Sequence, residues 1–219
     1  MNIARTLRPL ALAAALVAGV TALPGCAPLV VGGAMVGGGM MAIDRRTSGA
    51  QVEDQAIELK AVSRVRELAT LGNVNVTSYN RMALITGEVP TENDRARVEE
   101  AVQRIENVRS VVNELAVAGN SSLGSRSNDA ILSAKVKATL IDAKDVQANA
   151  VKVVTERAVV YLMGRVTERE AARASDLART VGGVQKVVRV FEVISEAELA
   201  ELVQKAQAPA GAASGAAGK

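Results

Sequence analysis

The chain has 219 residues, a formal net charge of +3, one cysteine, no tryptophan and no histidine. Without histidine it lacks the usual general base at neutral pH, the commonest metal ligand and any Cys/His nucleophile pair. Tyr79, Tyr161 and Phe191 are its only aromatics, too few to stack single-stranded bases. The carboxylates sit in mixed-charge helical patterns that read as solvated faces. No catalytic residue, metal site or cofactor is expected.

The opening MNIARTLRPLALAAALVAGVTALPGCA places Arg5 and Arg8 before an apolar run from Leu10 to Val20. This is the layout of a secretory signal peptide over residues 1–25, and the run is too short for a membrane span. It ends at Leu23-Pro24-Gly25-Cys26, which resembles the lipobox of bacterial lipoproteins, with Pro24 departing from the usual small residue. The alternative is an ordinary signal peptide with an incidental cysteine. The sole thiol of an exported chain has no intramolecular partner, and acylation of Cys26 gives it a use. One acyl chain holds a membrane marginally and two or more hold it stably. In that lipoprotein family an aspartate after the cysteine marks inner-membrane retention. Ala27 stands there instead, so the resemblance implies the outer membrane, facing the periplasm. Residues 26–50 are apolar and glycine-rich. No Gly-Lys-Ser/Thr follows them, so they read as a tether and not as a phosphate loop.

The rest of the chain says one thing twice. Val74, Val76, Ile85 and Gly87 match Val151, Val153, Leu162 and Gly164 at an offset of 77; past Pro90, Thr91, Arg97, Ile105, Val108 and Leu115 match Thr167, Arg173, Val181, Val184 and Phe191 at 76. One single-residue gap reconciles all of these, so residues 51–118 and 128–194 are copies of one domain, with the turn-rich residues 119–127 as linker. Val151-x-Val153 and Val160-x-Leu162-x-Gly164-x-Val166 alternate as strands with one buried face. Thr91-x-x-Asp94 and Thr167-x-x-Glu170 are helix-start capping boxes. Val98, Ala101, Val102 and Ile105 form the apolar stripe of the following helix in the first copy, and Ala174, Leu177, Ala178 and Val181 in the second. Residues 187–194 close as a strand, and strand-helix-strand predicts a right-handed parallel crossover. With earlier helices starting near Asp54 and spanning roughly 129–143, the fold class is α+β. Two tandem α-β-β-α-β units are expected, each a three-stranded mixed sheet covered by two helices. Residues 195–219 read as a short helix and a low-complexity tail.

The element order, the VxLxGxV strand before a capped helix and the VxxV-type closing strand resemble the BON domain. Signal peptide, lipobox, tether and two such units resemble the dual-BON outer-membrane lipoproteins. That resemblance implies a non-enzymatic module that binds anionic phospholipid, supports outer-membrane integrity and is associated with the β-barrel assembly machinery. The family's glycine falls on Gly87 and Gly164. Both read as structural, through a close approach that lets the next helix pack on the sheet, in preference to ligand contacts.

Charge separates the copies. Residues 51–118 carry eight Lys/Arg and eleven Asp/Glu, and residues 121–194 carry twelve and eight. A basic domain on a tethered protein favours an anionic leaflet; export argues against nucleic acid. The first copy's leading helix is expected to bury Ile57, Ala61, Val62, Val65 and Leu68 and to present Lys60, Ser63, Arg64 and Glu67 as a solvated face. In the second copy Leu132, Val136, Thr139, Leu140 and Ala143 make a core stripe, leaving Ile131, Ala134, Ala138 and Ile141 on another side among Lys135, Lys137 and Lys144. That second strip packs against another part of the protein or a partner, is ordinary surface scatter, or enters lipid while the lysines meet phosphates.

Overall fold

A computed structural model describes residues 44–68 and 72–207. Cys26 and the signal-peptide and lipobox residues lie outside the described residues. The first copy runs α1 (Ser48–Leu68), β1 (Asn73–Tyr79), β2 (Met82–Val89), α2 (Glu92–Gln103) and β3 (Ser110–Val117). The second runs α3 (Leu123–Asp142), a single 3-10 turn (Ala148–Ala150), β4 (Val151–Glu156), β5 (Val159–Val166), α4 (Glu168–Thr180) and β6 (Lys186–Val193), and α5 (Glu196–Gln207) follows. Each copy is a three-stranded mixed sheet, its first two strands antiparallel and its last two parallel.

Local chemistry explains the joints. Thr167 Oγ1 accepts from the Glu170 amide while Glu170 accepts from the Thr167 amide, a reciprocal capping box at the start of α4. In the first copy only half of that box forms. Thr91 Oγ1 accepts from the Asp94 amide, but the shorter Asp94 side chain takes the Thr91 hydroxyl proton instead of the backbone amide. Both hairpins turn through two left-handed residues, Asn80 and Arg81 (φ 49° and 68°), then Arg157 and Ala158 (52° and 59°). This is the type I′ geometry that matches strand twist.

A buried aspartate in the middle of each leading helix holds each turn. Asp54 accepts from the Asn80 and Arg81 amides at 2.8 and 2.7 Å, and Asp129 from the Arg157 and Ala158 amides at 2.9 and 2.8 Å. The leading helices therefore start earlier than expected, at Ser48 and Leu123. Ser122 caps α3, so the expected linker 119–127 shrinks to 119–122. The expected tether, 26–50, likewise includes the first residues of α1 and the structured triplet Asp44-Arg45-Arg46.

Helices cover one face of each sheet. Ile57, Ala61 and Val65 of α1 meet Ala83, Ile85 and Val89 of β2 with Val98 and Val102 of α2; Val136 and Leu140 of α3 meet Val160 and Leu162 of β5 with Ala174 and Ala178 of α4. The other faces pack against one another. Tyr79 and Leu84 of the first copy form a third core with Tyr161, Met163 and Val190 of the second. The result is four layers, helices outside and sheets back to back. Charged pairs flank this seam: Arg157 to the fully buried Glu88 at 3.4 Å, Arg109 to Glu192 at 2.6 Å, and Lys152 to Glu58 at 2.8 Å. Arg45 straps across it, donating to both oxygens of Glu170 at 2.7 Å and to the Arg165 carbonyl at 2.9 Å.

The conserved position of glycine in the repeat has a steric cause. A Cβ on Gly87, at φ 115°, would overlap the Asn73 carbonyl, and one on Gly164 would overlap the Ala150 carbonyl. The close approach is made by the neighbouring strand or the residue before it, not by the following helix.

Candidate functional site

Helix α3 is fastened from below. Asp129 ties it to the β4–β5 turn, Ser133 Oγ donates to Thr155 Oγ1 at 2.8 Å, and Leu132, Val136 and Leu140 are buried. At about 100° per residue these positions fix which residues face outward. Ala134, Ala138 and Ile141 lie opposite the core stripe with Ile131 at their edge, and all four are exposed. Ile131 is 54% exposed and Ile141 69%. Leu123, 78% exposed, extends the strip by about two turns toward the N-terminus. It escaped the sequence reading because its stretch looked like linker; the signal was Ser122 as an N-cap, three residues before the Ser125 amide it accepts from.

Lys135, Lys137 and Lys144 are exposed. Among the described residues none of the three has an ion-pair partner, whereas Lys60 and Lys152 are paired with Glu106 and Glu58. Lys135 lies on one flank of the strip and Lys137 on the other. The structure thus brings the apolar strip together with Lys135 and Lys137 on one outward helix face, while Lys144 lies past the end of the helix, beyond its C-cap Ala143.

The first copy's leading helix is less different than its sequence implied. Val62 is 52% exposed, not buried, and Leu68 is half-buried. Val52 and Leu59 are 66% and 74% exposed. These residues also face away from the core, because the buried stripe is narrower than the wheel predicted and ends at Ala61 and Val65. The distinction that survives is one of charge, since Ile141, Ala138 and Ile131 of α3 correspond in register to Arg66, Ser63 and Ala56 of α1.

Among the described residues no cluster of three or more His, Cys, Asp or Glu is placed to hold a metal ion. The same residues include no helix long and apolar enough to cross a membrane.

A duplicated α-β-β-α-β unit, fused back to back with its leading helices outward, defines a tandem BON-domain protein: residues 53–119 and 128–195 each match the BON domain. The chain is 35% identical over 192 residues, 86% of its own length and 99% of the relative's, to the outer membrane lipoprotein DolP of Haemophilus influenzae. It is 30% identical over 155 residues, covering 69% of itself and 80% of the relative, to a 21 kDa hemolysin of Actinobacillus pleuropneumoniae. The chain belongs to the dual-BON outer-membrane lipoprotein family. A structural protein of the Chlamydia trachomatis type III secretion system is similar at 11% identity and a TM-score of 0.28, over 66% of this chain and 97% of the other. That likeness is too low to carry an argument.

Proposed function

We infer that this protein is an outer-membrane lipoprotein, acylated at Cys26 and facing the periplasm, whose second BON domain docks on anionic phospholipid through α3. The observation that carries the reading is the exposed Ile131–Ala134–Ala138–Ile141 strip, set opposite the core and flanked by Lys135 and Lys137, with Lys144 just past the helix end, and none of these lysines has a carboxylate partner among the described residues. That is the pattern of an interfacial helix. Partial burial of each isoleucine contributes about 1 kcal/mol, and each lysine near an anionic leaflet roughly 1 kcal/mol. The sum is weak for a free protein and sufficient to orient one that acyl chains already hold at the surface. Docking involves no chemical step.

A second reading draws on Val52, Leu59 and Val62, a second exposed apolar set on α1. In that reading the first domain contacts a protein, such as the β-barrel assembly machinery, and the protein works as an adaptor in outer-membrane integrity.

Vesicle co-sedimentation tests the lipid reading. The chain from Ala27 onward should bind phosphatidylglycerol vesicles and lose binding as salt rises. Ile131→Asp with Lys135→Glu removes one apolar side chain and reverses one charge, together about 3 kcal/mol or roughly 100-fold. Undiminished binding by that variant removes α3 as the site. Binding that ignores headgroup charge favours the adaptor.

A further inference from the structure

The edge strands β1 and β4 line the two sides of a groove of about 790 Å³ at the rim of the domain seam, and they do not pair with each other. Side chains alone bridge it. Lys152 reaches the Ser78 carbonyl at 3.1 Å and closes one end, and Asn75 reaches Glu156 at 3.4 Å. The two-residue hairpins fix which backbone groups face the gap. Tyr79–Met82 and Glu156–Val159 are the hydrogen-bonded pairs that close the turns. By alternation Ser78, Val76 and Val74, and Thr155, Val153 and Val151, turn their N–H and C=O groups away from the neighbouring strand. The Ser78 groups are taken by Glu58 and Lys152, and the Val151 amide by the Ala148 carbonyl. Those of Val74, Val76, Val153 and Thr155 bond to no described residue on that side.

The walls differ by level. Toward the helix layer they are apolar, with Ala61, Val62, Val65 and Val76; toward the seam they are polar, with Asn75, Thr77, Thr86 and Glu156. Side chains of an extended segment alternate between two such levels. Glu156 is 9% exposed, accepts only from Asn75 and has no cation partner among the described residues. Burial and the neighbouring Glu88 hold its carboxyl above the ordinary value of 4.5. The residues between Cys26 and Asp44 carry no charge, so the chain's own tether cannot supply the missing cation.

We propose that the groove takes an extended segment of a separate polypeptide, which adds as a strand between β1 and β4. Its apolar residues face the helices, its polar residues face the seam, and one lysine or arginine among the latter meets Glu156. Main-chain hydrogen bonds to both edges supply affinity, and the alternation supplies selectivity. This surface is separate from the outward face of α3 and does not depend on that helix meeting lipid.

The test titrates the chain from Ala27 onward with the acetylated, amidated peptide TVTVKVT and follows amide hydrogen exchange. Saturable protection of at least about tenfold is expected at Val74, Val76, Val153 and Thr155. The peptide TVTPKVT, which lacks a central N–H, and TVTVEVT, which brings a carboxylate to Glu156, should each bind about tenfold or more weakly. Glu156→Gln should narrow the preference for the lysine peptide over the glutamate peptide while leaving exchange in the cores unchanged. No saturable protection, protection at those amides before peptide is added, protection at the β3 or β6 edge instead, or equal binding of all three peptides overturns the proposal.

Discussion

Replacing Asp129 by alanine tests whether the helix-to-hairpin tie holds α3 in place. The carboxylate is 5% exposed and accepts two backbone amides, at 2.9 and 2.8 Å, from residues held at positive φ. A hydrogen bond to a charged group contributes about 1.5–3 kcal/mol, and water can reach part of the freed turn, so a total loss of about 3 kcal/mol is expected. That corresponds to a fall in Tm of roughly 6–12 °C for a protein of this size. Asp54→Ala should cost more, because Asp54 also accepts the Ser78 hydroxyl at 2.7 Å and pairs with Arg46 at 2.8 Å. Asp129→Asn keeps one good acceptor and should fall between wild type and alanine. Calorimetry with urea titration at neutral pH reads all three. A loss below about 0.5 kcal/mol for Asp129→Ala, or a smaller loss for Asp54→Ala than for Asp129→Ala, refutes the argument.

Gly164→Val forces a Cβ onto the Ala150 carbonyl; it should lower stability by at least about 2 kcal/mol, and an unchanged urea midpoint counts against the steric account. Glu170 titrates below its ordinary value of 4.5, held there by Arg45 and the Thr167 amide against the opposing effect of burial. A depressed folded value means the stabilisation is present above the unfolded pKa and is lost as pH falls through the folded one. Acid should therefore weaken the Arg45 strap below about pH 4.5, and Glu170→Gln should lower stability at pH 7 while flattening that part of the acid limb; wild-type and variant curves of the same shape would contradict it.

The order of elements was legible because strand alternation and helix periodicity are local properties, and VVYLMGRV and MALITGEV show both the strand and the glycine that must follow. The back-to-back seam was present but unread. Tyr161 and Met163 sit out of phase with Val160 and Leu162, making a continuous apolar run of the kind found when both faces of a strand are covered. Asp54 and Asp129 misled in a specific way. Aspartate favours helix starts and so suggests one at each position, whereas both carboxylates lie inside the helix and serve a turn more than twenty residues downstream. The Arg45–Glu170 strap spans 125 residues, and no local pattern announces it. For the site, the strip on α3 could be read from spacing alone. That no described element covers it, and that Leu59 on α1 is just as exposed, depend on how the two sheets meet.

Single nitroxide labels at Ile131, Ile141 and Leu59, in protein without other cysteines bound to phosphatidylglycerol vesicles, test the membrane-docking claim most directly. Collision with oxygen rather than with an aqueous nickel chelate should dominate at 131 and 141, while 59 stays fully accessible to the chelate. Aqueous behaviour at all three sites, or immersion of 59 alone, would contradict docking through α3.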